Sequence, residues 1–189
     1  MKLVDSIAEN LPISPGESSR TLVAPNLVIQ AAIGNVSSFE GRSFSSSAAK
    51  SGIKDTFSKD NSSFGELPSD QMQTEILLPS SITEKLHSLP NEEMRMTFAL
   101  YNNAKFFQTI GDDGNIENEN KSFQNWTINS RVISGSVAGI SLRDLSEPVV
   151  TTFKPLEPSN LFPVCAFWNF SLNGMESFNL TLLYLMVKT

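Results

Sequence analysis

Cys165 and His87 are the single cysteine and the single histidine of this 189-residue chain, and their solitude bounds its chemistry. A structural zinc site draws on about four Cys or His ligands, so one chain cannot build it here. Any Ser-His-Asp or Cys-His arrangement would have to use His87, since there is no other imidazole. His87 lies in a short apolar-faced stretch beside Leu86 and Leu89, the setting of a surface or capping histidine rather than a catalytic one. No intrachain disulfide can form. Cys165 stands in the apolar run from Val164 to Phe170 and reads as a buried free thiol on a strand. No phosphate-binding glycine loop and no Gly-x-Ser-x-Gly elbow occurs, and Ser134-Gly135-Ser136 reads as a small-residue strand. Few chemistries survive this census, and no metal and no cofactor is expected.

Modification is the chemistry left open. Asn-x-Ser/Thr triplets begin at Asn35, Asn61, Asn120, Asn125, Asn169 and Asn179. Asn61, Asn120 and Asn125 fall in polar loops where a glycan fits and are the glycosylation candidates. Asn169 falls in an expected strand and is the poorer acceptor.

The charge balance narrows the partners. The chain carries 20 acidic and 14 basic side chains, for a net charge of −6, with no Lys/Arg cluster. That excludes a nucleic-acid partner, which demands a basic footprint. Apolar residues make up 40% of the chain, enough to fill the core of one domain. Asp5 and Glu9 interrupt the N-terminal apolar residues, so no signal peptide is expected in this chain. The apolar stretch from Phe178 to Val187 is about half the length of a membrane-spanning helix, so no span is expected either.

Hydrophobic periodicity gives the elements. Leu3, Val4, Ile7, Ala8 and Leu11 recur at helical spacing and Pro12 ends them, predicting a helix over Lys2 to Leu11. Asn26 to Ile33 reads as a strand closed by Gly34-Asn35. Residues 34 to 70, rich in serine, read as short strands joined by polar loops. Thr74 to Leu78 is a further strand. Ser80-Ser81-Ile82-Thr83-Glu84 has the form of a capping box, opening a short helix that ends near Leu89-Pro90. From Met94 to Tyr101 the residues Met94, Met96, Phe98 and Leu100 share one face of a half-buried strand. Asn102-Asn103 turns the chain, and Lys105 to Ile110 is expected to return as a strand. Strands follow over Arg131 to Leu142, Pro148 to Lys154 and Val164 to Phe170. Many short antiparallel strands after one helix predict a mainly β fold: a twisted antiparallel β-sandwich with one N-terminal helix and one short internal helix.

Three runs of residues carry a family resemblance. Leu145-Ser146-Glu147-Pro148-Val149-Val150 is similar to the linker and strand ahead of a GPCR proteolysis site, and Cys165-Ala166-Phe167-Trp168-Asn169-Phe170-Ser171 resembles the opening of that site. Met96 to Asn103 is similar to the same family's paired strand and turn. The chain resembles the GAIN domain of an adhesion-type G-protein-coupled receptor over roughly residues 1 to 173. The resemblance implies a division into the last helix of a helical subdomain (1–12), a sandwich with the start of the proteolysis motif (22–173), and an atypical apolar tail (174–189). It implies an extracellular, glycosylated module at the plasma membrane. Its partners in the intact family are a seven-helix membrane segment and extracellular protein ligands. The proteolysis-motif remnant is Cys165, Phe167, Trp168 and Phe170, with Phe167 and Trp168 expected in core packing.

The departures bear on cleavage. In the family, a Ser/Thr hydroxyl attacks the preceding carbonyl, and a His two residues earlier takes its proton. Further cysteines constrain the site. Here the nearest counterpart is Asn179-Leu180-Thr181, and the further cysteines are missing. An Asn amide cannot accept a proton near neutral pH, so general-base help of about 10²–10⁴-fold is lost. The expectation is a chain cut short within the motif, with no self-cleavage. The alternatives are self-cleavage at Leu180-Thr181 by an acyl shift, and a stand-alone secreted sandwich that binds a ligand. Two readings of the tail stand: a strand pairing with the sandwich, or a tail that exposes apolar surface. The alternation of Phe178, Leu180, Leu182 and Tyr184 with polar Asn179 and Thr181 leans to pairing.

Overall fold

A computed structural model of the chain describes residues 2–49, 52–57, 72–86, 92–107, 126–158, 163–167 and 181–188. Its strands are β1 (Ser19–Ala24), β2 (Leu27–Asn35), β3 (Arg42–Ala49), β4 (Gly52–Phe57), β5 (Met72–Leu78), β6 (Glu93–Tyr101), β7 (Trp126–Ile128), β8 (Val132–Val137), β9 (Val150–Phe153), β10 (Val164–Phe167) and β11 (Thr181–Lys188). Helix α1 spans Lys2–Asn10 and α2 spans Ile82–Leu86. One sheet runs β1-β2-β6-β8-β11-β10, with β7 also paired to β11, and the other runs β4-β3-β5-β9. Among the described residues every pairing is antiparallel. The mainly β sandwich with two helices is the fold that the periodicity predicts.

The period-2 face of β6 sets the core. Met94, Met96, Phe98 and Leu100 are buried with Val28 and Ala32 of β2 and Ile133 and Val137 of β8, and Phe44, Ile76 and Leu78 come from the second sheet. Phe44 and Phe98 stack across the two sheets at 5.1 Å with planes 4° apart. Each fully buried side chain of this size contributes about 1.5–3 kcal/mol. Gly135 makes that closeness possible. A Cβ there would lie 3.1 Å from Cδ1 of Ile76, so only a residue without one lets the two sheets meet at this point.

The opposite face of β6 receives α1. Ala8 packs with Ile29, Ala99, Tyr101, Phe107 and Val132, joined by Val4. The helix ends in carbonyls that no helical amide reaches. Arg95 fastens this end, its Nη2 donating to the carbonyl oxygens of Ala8 in the last turn at 3.2 Å and of Leu11 just past the helix at 2.6 Å. Leu3 and Ile7, counted with the apolar face in the sequence, are exposed instead.

Other departures have local causes. Lys105–Phe107 is a 3-10 turn, where a returning strand is expected from Lys105. Asn103 Oδ1 accepts from the Lys105 amide at 3.1 Å, and the Phe107 amide donates to Ala104 O at 2.8 Å, so the chain coils before it can extend. Phe107 then buries its ring edge-on against Tyr101 at 5.0 Å. Strand β8 ends at Val137 rather than Leu142, because the turn through Gly139 has φ of 79°, which favours glycine. The helix α2 is capped differently from the capping box: Ser80 Oγ and the Ser81 amide donate to Glu147 Oε2 at 2.9 and 3.3 Å. Glu84 accepts from Ser146 Oγ at 2.8 Å instead of closing the box. Lys85 Nζ adds a bond to Arg143 O, fastening α2 further to the same long connection.

Candidate functional site

The region holding the motif remnant is built around β11. One edge of β11 pairs with β10, in the register Val164↔Met186, Cys165↔Leu185, Ala166↔Tyr184 and Phe167↔Leu183. Its other edge pairs first with β8, Thr181↔Gly135, Leu182↔Ser134 and Leu183↔Ile133. Beyond that it pairs with β7, Met186↔Ile128, Val187↔Thr127 and Lys188↔Trp126. Thus an eight-residue strand is bonded on both sides and lies inside the sheet, with β10 outermost. The alternation of apolar residues after Phe178 is the signal for it.

The break between β7 and β8 is held by Asn129. Its Oδ1 accepts from the Glu157 amide and its Nδ2 donates to the Glu157 carbonyl, both at 2.9 Å, so one side chain imitates a strand pair. The Leu156 amide donates to the Asn129 carbonyl at 2.9 Å. Asn129 is buried, so these bonds satisfy an amide that would otherwise be costly. Nearby, Arg131 Nη1 donates to Ser46 Oγ at 3.1 Å and ties the start of β8 to the second sheet. Polar side chains also line β6 and β8 on the α1 side, where the Thr97 and Ser136 hydroxyls lie 2.6 Å apart.

The site residues named from the sequence fall unevenly. Phe167 closes β10 opposite Leu183, and Thr181 opens β11 opposite Gly135. Trp168, Phe170, Leu180, Asn61, Asn120 and Asn125 lie outside the described residues, as does His87. Cys165 corrects the expectation of a buried thiol: it is free and exposed. The reason is the strand order. β10 is the end strand of its sheet, and Val164 beside Cys165 is also exposed. Sequence reasoning missed Gly135 as the residue facing Thr181. Its signal was the Ser134-Gly135-Ser136 run, small residues inside an otherwise apolar strand. Asn129 and Arg95 carry no motif, and nothing in the sequence singles them out.

Electrostatics concentrate under α1. Burial pushes the Tyr101 hydroxyl well above its ordinary value, and the neighbouring Asp5 carboxylate adds to the shift. Burial likewise raises Asp5, with the N-terminal charge opposing and Glu9 reinforcing. Among the described residues no group of three or more His, Cys, Asp or Glu side chains could hold a metal ion. No helix among them is long and apolar enough to cross a membrane.

The family model described as GPS: GAIN subdomain B matches residues 25–177. The chain is 30% identical over 180 residues to the human Adhesion G-protein coupled receptor G2, covering 92% of this chain and 15% of the receptor. The rat receptor of the same name is 27% identical over 180 residues, with the same coverage. The chain therefore spans about 15% of the curated relatives it matches. Among solved structures, the full extracellular region of zebrafish Gpr126/Adgrg6 superimposes with a TM-score of 0.58 at 18% identity, over 98% of this chain and 25% of that one. That likeness shows the fold, and the family match and the relatives fix the lineage: this chain belongs to the GAIN subdomain B family of adhesion G-protein-coupled receptors.

Proposed function

We propose that the chain is a non-enzymatic extracellular module that stores Thr181–Lys188 as an integral strand and leaves the Leu180–Thr181 bond uncut. The observation that carries this reading is β11 itself, hydrogen-bonded along both edges between β10 and the β7–β8 pair. The family resemblance assigns the segment after the cleavage Ser/Thr to a tethered activating peptide, and Thr181 is the counterpart of that residue. Asn179 stands where a histidine would accept the hydroxyl proton, and an amide lacks the basicity for it. Strand and bond together describe a segment retained covalently at its start and by backbone pairing along its length.

In the intact receptor the module would sit outside the plasma membrane, ahead of a seven-helix segment, with extracellular proteins as its ligands. Helix α1 takes the role of the last helix of a helical subdomain, consistent with Leu3 being 72% exposed and Ile7 37% exposed beyond the face that meets the sheet. Intact mass under denaturing conditions, with thermal unfolding, tests the reading on the chain passed through a secretory pathway. A single uncut species with one cooperative transition is expected. Denaturation matters, because a cut fragment would stay paired in the folded sheet. Loss of the Thr181 to Thr189 fragment refutes the reading.

A further inference from the structure

We propose that Asn35 is an N-glycosylation site, its side-chain amide accepting an oligosaccharide at the end of β2. The inference rests on the extracellular placement proposed above, since the transfer occurs in the secretory pathway. Asn35-Val36-Ser37 is the one acceptor triplet of the chain whose three residues are all described. Asn35 and Ser37 are both exposed. The side-chain carbonyl of Asn35 is occupied: Oδ1 accepts from the Ser37 amide at 2.9 Å and from Ser37 Oγ at 2.7 Å. Its Nδ2 donates no hydrogen bond among the described residues. The asparagines Asn10, Asn102, Asn103 and Asn129 differ, each donating Nδ2 to the chain, and none begins an acceptor triplet.

The transfer balances simply. Asn35 Nδ2 bonds to the anomeric carbon of a lipid-pyrophosphate-linked oligosaccharide. The bond from that carbon to the pyrophosphate oxygen breaks, the lipid pyrophosphate leaves with the electron pair, and the amide gives up one proton to a base on the transferase. Nothing is oxidised or reduced. The product is still an amide, so Oδ1 keeps both of its bonds to Ser37 and the turn is unchanged. The turn is further anchored by the Val36 amide, which donates to Glu92 O at 2.8 Å. A glycan here therefore asks for no rearrangement of the sheet.

The position also has a consequence. Asn35 pairs with exposed Glu93 at one end of β2, beyond Ala32, where β1 departs at Ser19. The exposed apolar residues of β1, Leu22 and Val23, pair with Ile29 and Val28 at the other end. From Ile29 to Asn35 the strand advances about 20 Å at ~3.3 Å per residue. The sugar covers the polar rim and leaves the apolar edge open.

The full chain, carrying a secretion leader and expressed in glycosylating cells, provides the test, with secreted and cell-associated pools analysed separately. The peptide containing Asn35 should carry a glycan that peptide N-glycosidase releases, converting Asn35 to aspartate. Ser37→Ala and Asn35→Gln should each lose the mass of one glycan, while Ser37→Thr keeps it. An unmodified Asn35 in both pools overturns the proposal, whatever the other triplets carry. A chain glycosylated at Asn35 that never leaves the cell counts against the extracellular module instead, so the two failures are distinguishable.

Discussion

Replacing Gly135 by valine probes the closest approach of the two sheets. A Cβ at this position would meet Ile76 Cδ1 at 3.1 Å and Phe98 Cδ1 and Cε1 at 3.4 and 3.5 Å. The methyls of valine reach about 1.5 Å further, into space that Ile76 and the Phe44–Phe98 stack already fill. Overpacking of this kind costs about 1–3 kcal/mol. Replacing a strand glycine returns about 0.5–1 kcal/mol, so Gly135→Val should lose about 0–2.5 kcal/mol net, centred on ~1 kcal/mol. Ile76→Val removes the very Cδ1 that collides and alone should cost about 0.5–1.5 kcal/mol. In the double variant the collision is relieved, and the loss should fall short of the sum by about 1 kcal/mol. Urea unfolding of the four chains reads this as a shift in midpoint at constant slope. Additivity within about 0.5 kcal/mol would mean that residues 76 and 135 do not face each other across the two sheets, and would refute the close approach at Gly135.

Arg95→Met should free the end of α1, costing about 1.5–3 kcal/mol for the lost charged hydrogen bonds. Faster proteolysis within residues 2 to 12 would show it, and unchanged protection would count against the anchoring role. Asn129→Ala should speed amide exchange at Glu157 more than at Leu156, because only the Glu157 amide loses its acceptor; equal rates would refute the side-chain clamp. The folded state holds the Tyr101 proton to higher pH than the unfolded chain, whose ordinary value is 10.0. This contribution to stability is full below pH 10.0 and is lost as pH rises through the folded value. Tyr101→Phe should flatten the alkaline decline of stability relative to the parent, and an identical slope would show that the ring is not shielded.

Much of the sandwich was legible because its signals are local. The alternation of Met94, Met96, Phe98 and Leu100 states which face is buried, and the structure buries all four. The helix Lys2–Asn10 was equally plain, ended by Pro12. What stayed hidden depends on partners distant in sequence. The cap of α2 comes from Glu147, 66 residues after Ser81. The exposure of Cys165 follows from β10 being outermost, a property of strand order that no single strand encodes. Strand β1 carries polar Ser19, Arg20 and Thr21 before its apolar residues, so its edge position left no alternation to read. At the candidate site, the register of β11 against Gly135 is a long-range pairing, and small residues in β8 were its one trace.

The internal position of β11 also has consequences while the chain is being made. Strands are synthesised in order, yet β11 fills a gap between β8 and β10, which both precede it. Some 44 residues separate Val137 from Thr181, a delay of roughly 2–9 s at ~5–20 residues per second. Through that interval β8 is paired to β6 but bare on its other edge, an open template for pairing with a foreign strand. The nascent chain thus depends on a late segment to seal it: a pause ahead of Thr181 would prolong the exposure, and an early stop there would release a molecule with β8 and β10 both unsealed in place of one closed seam.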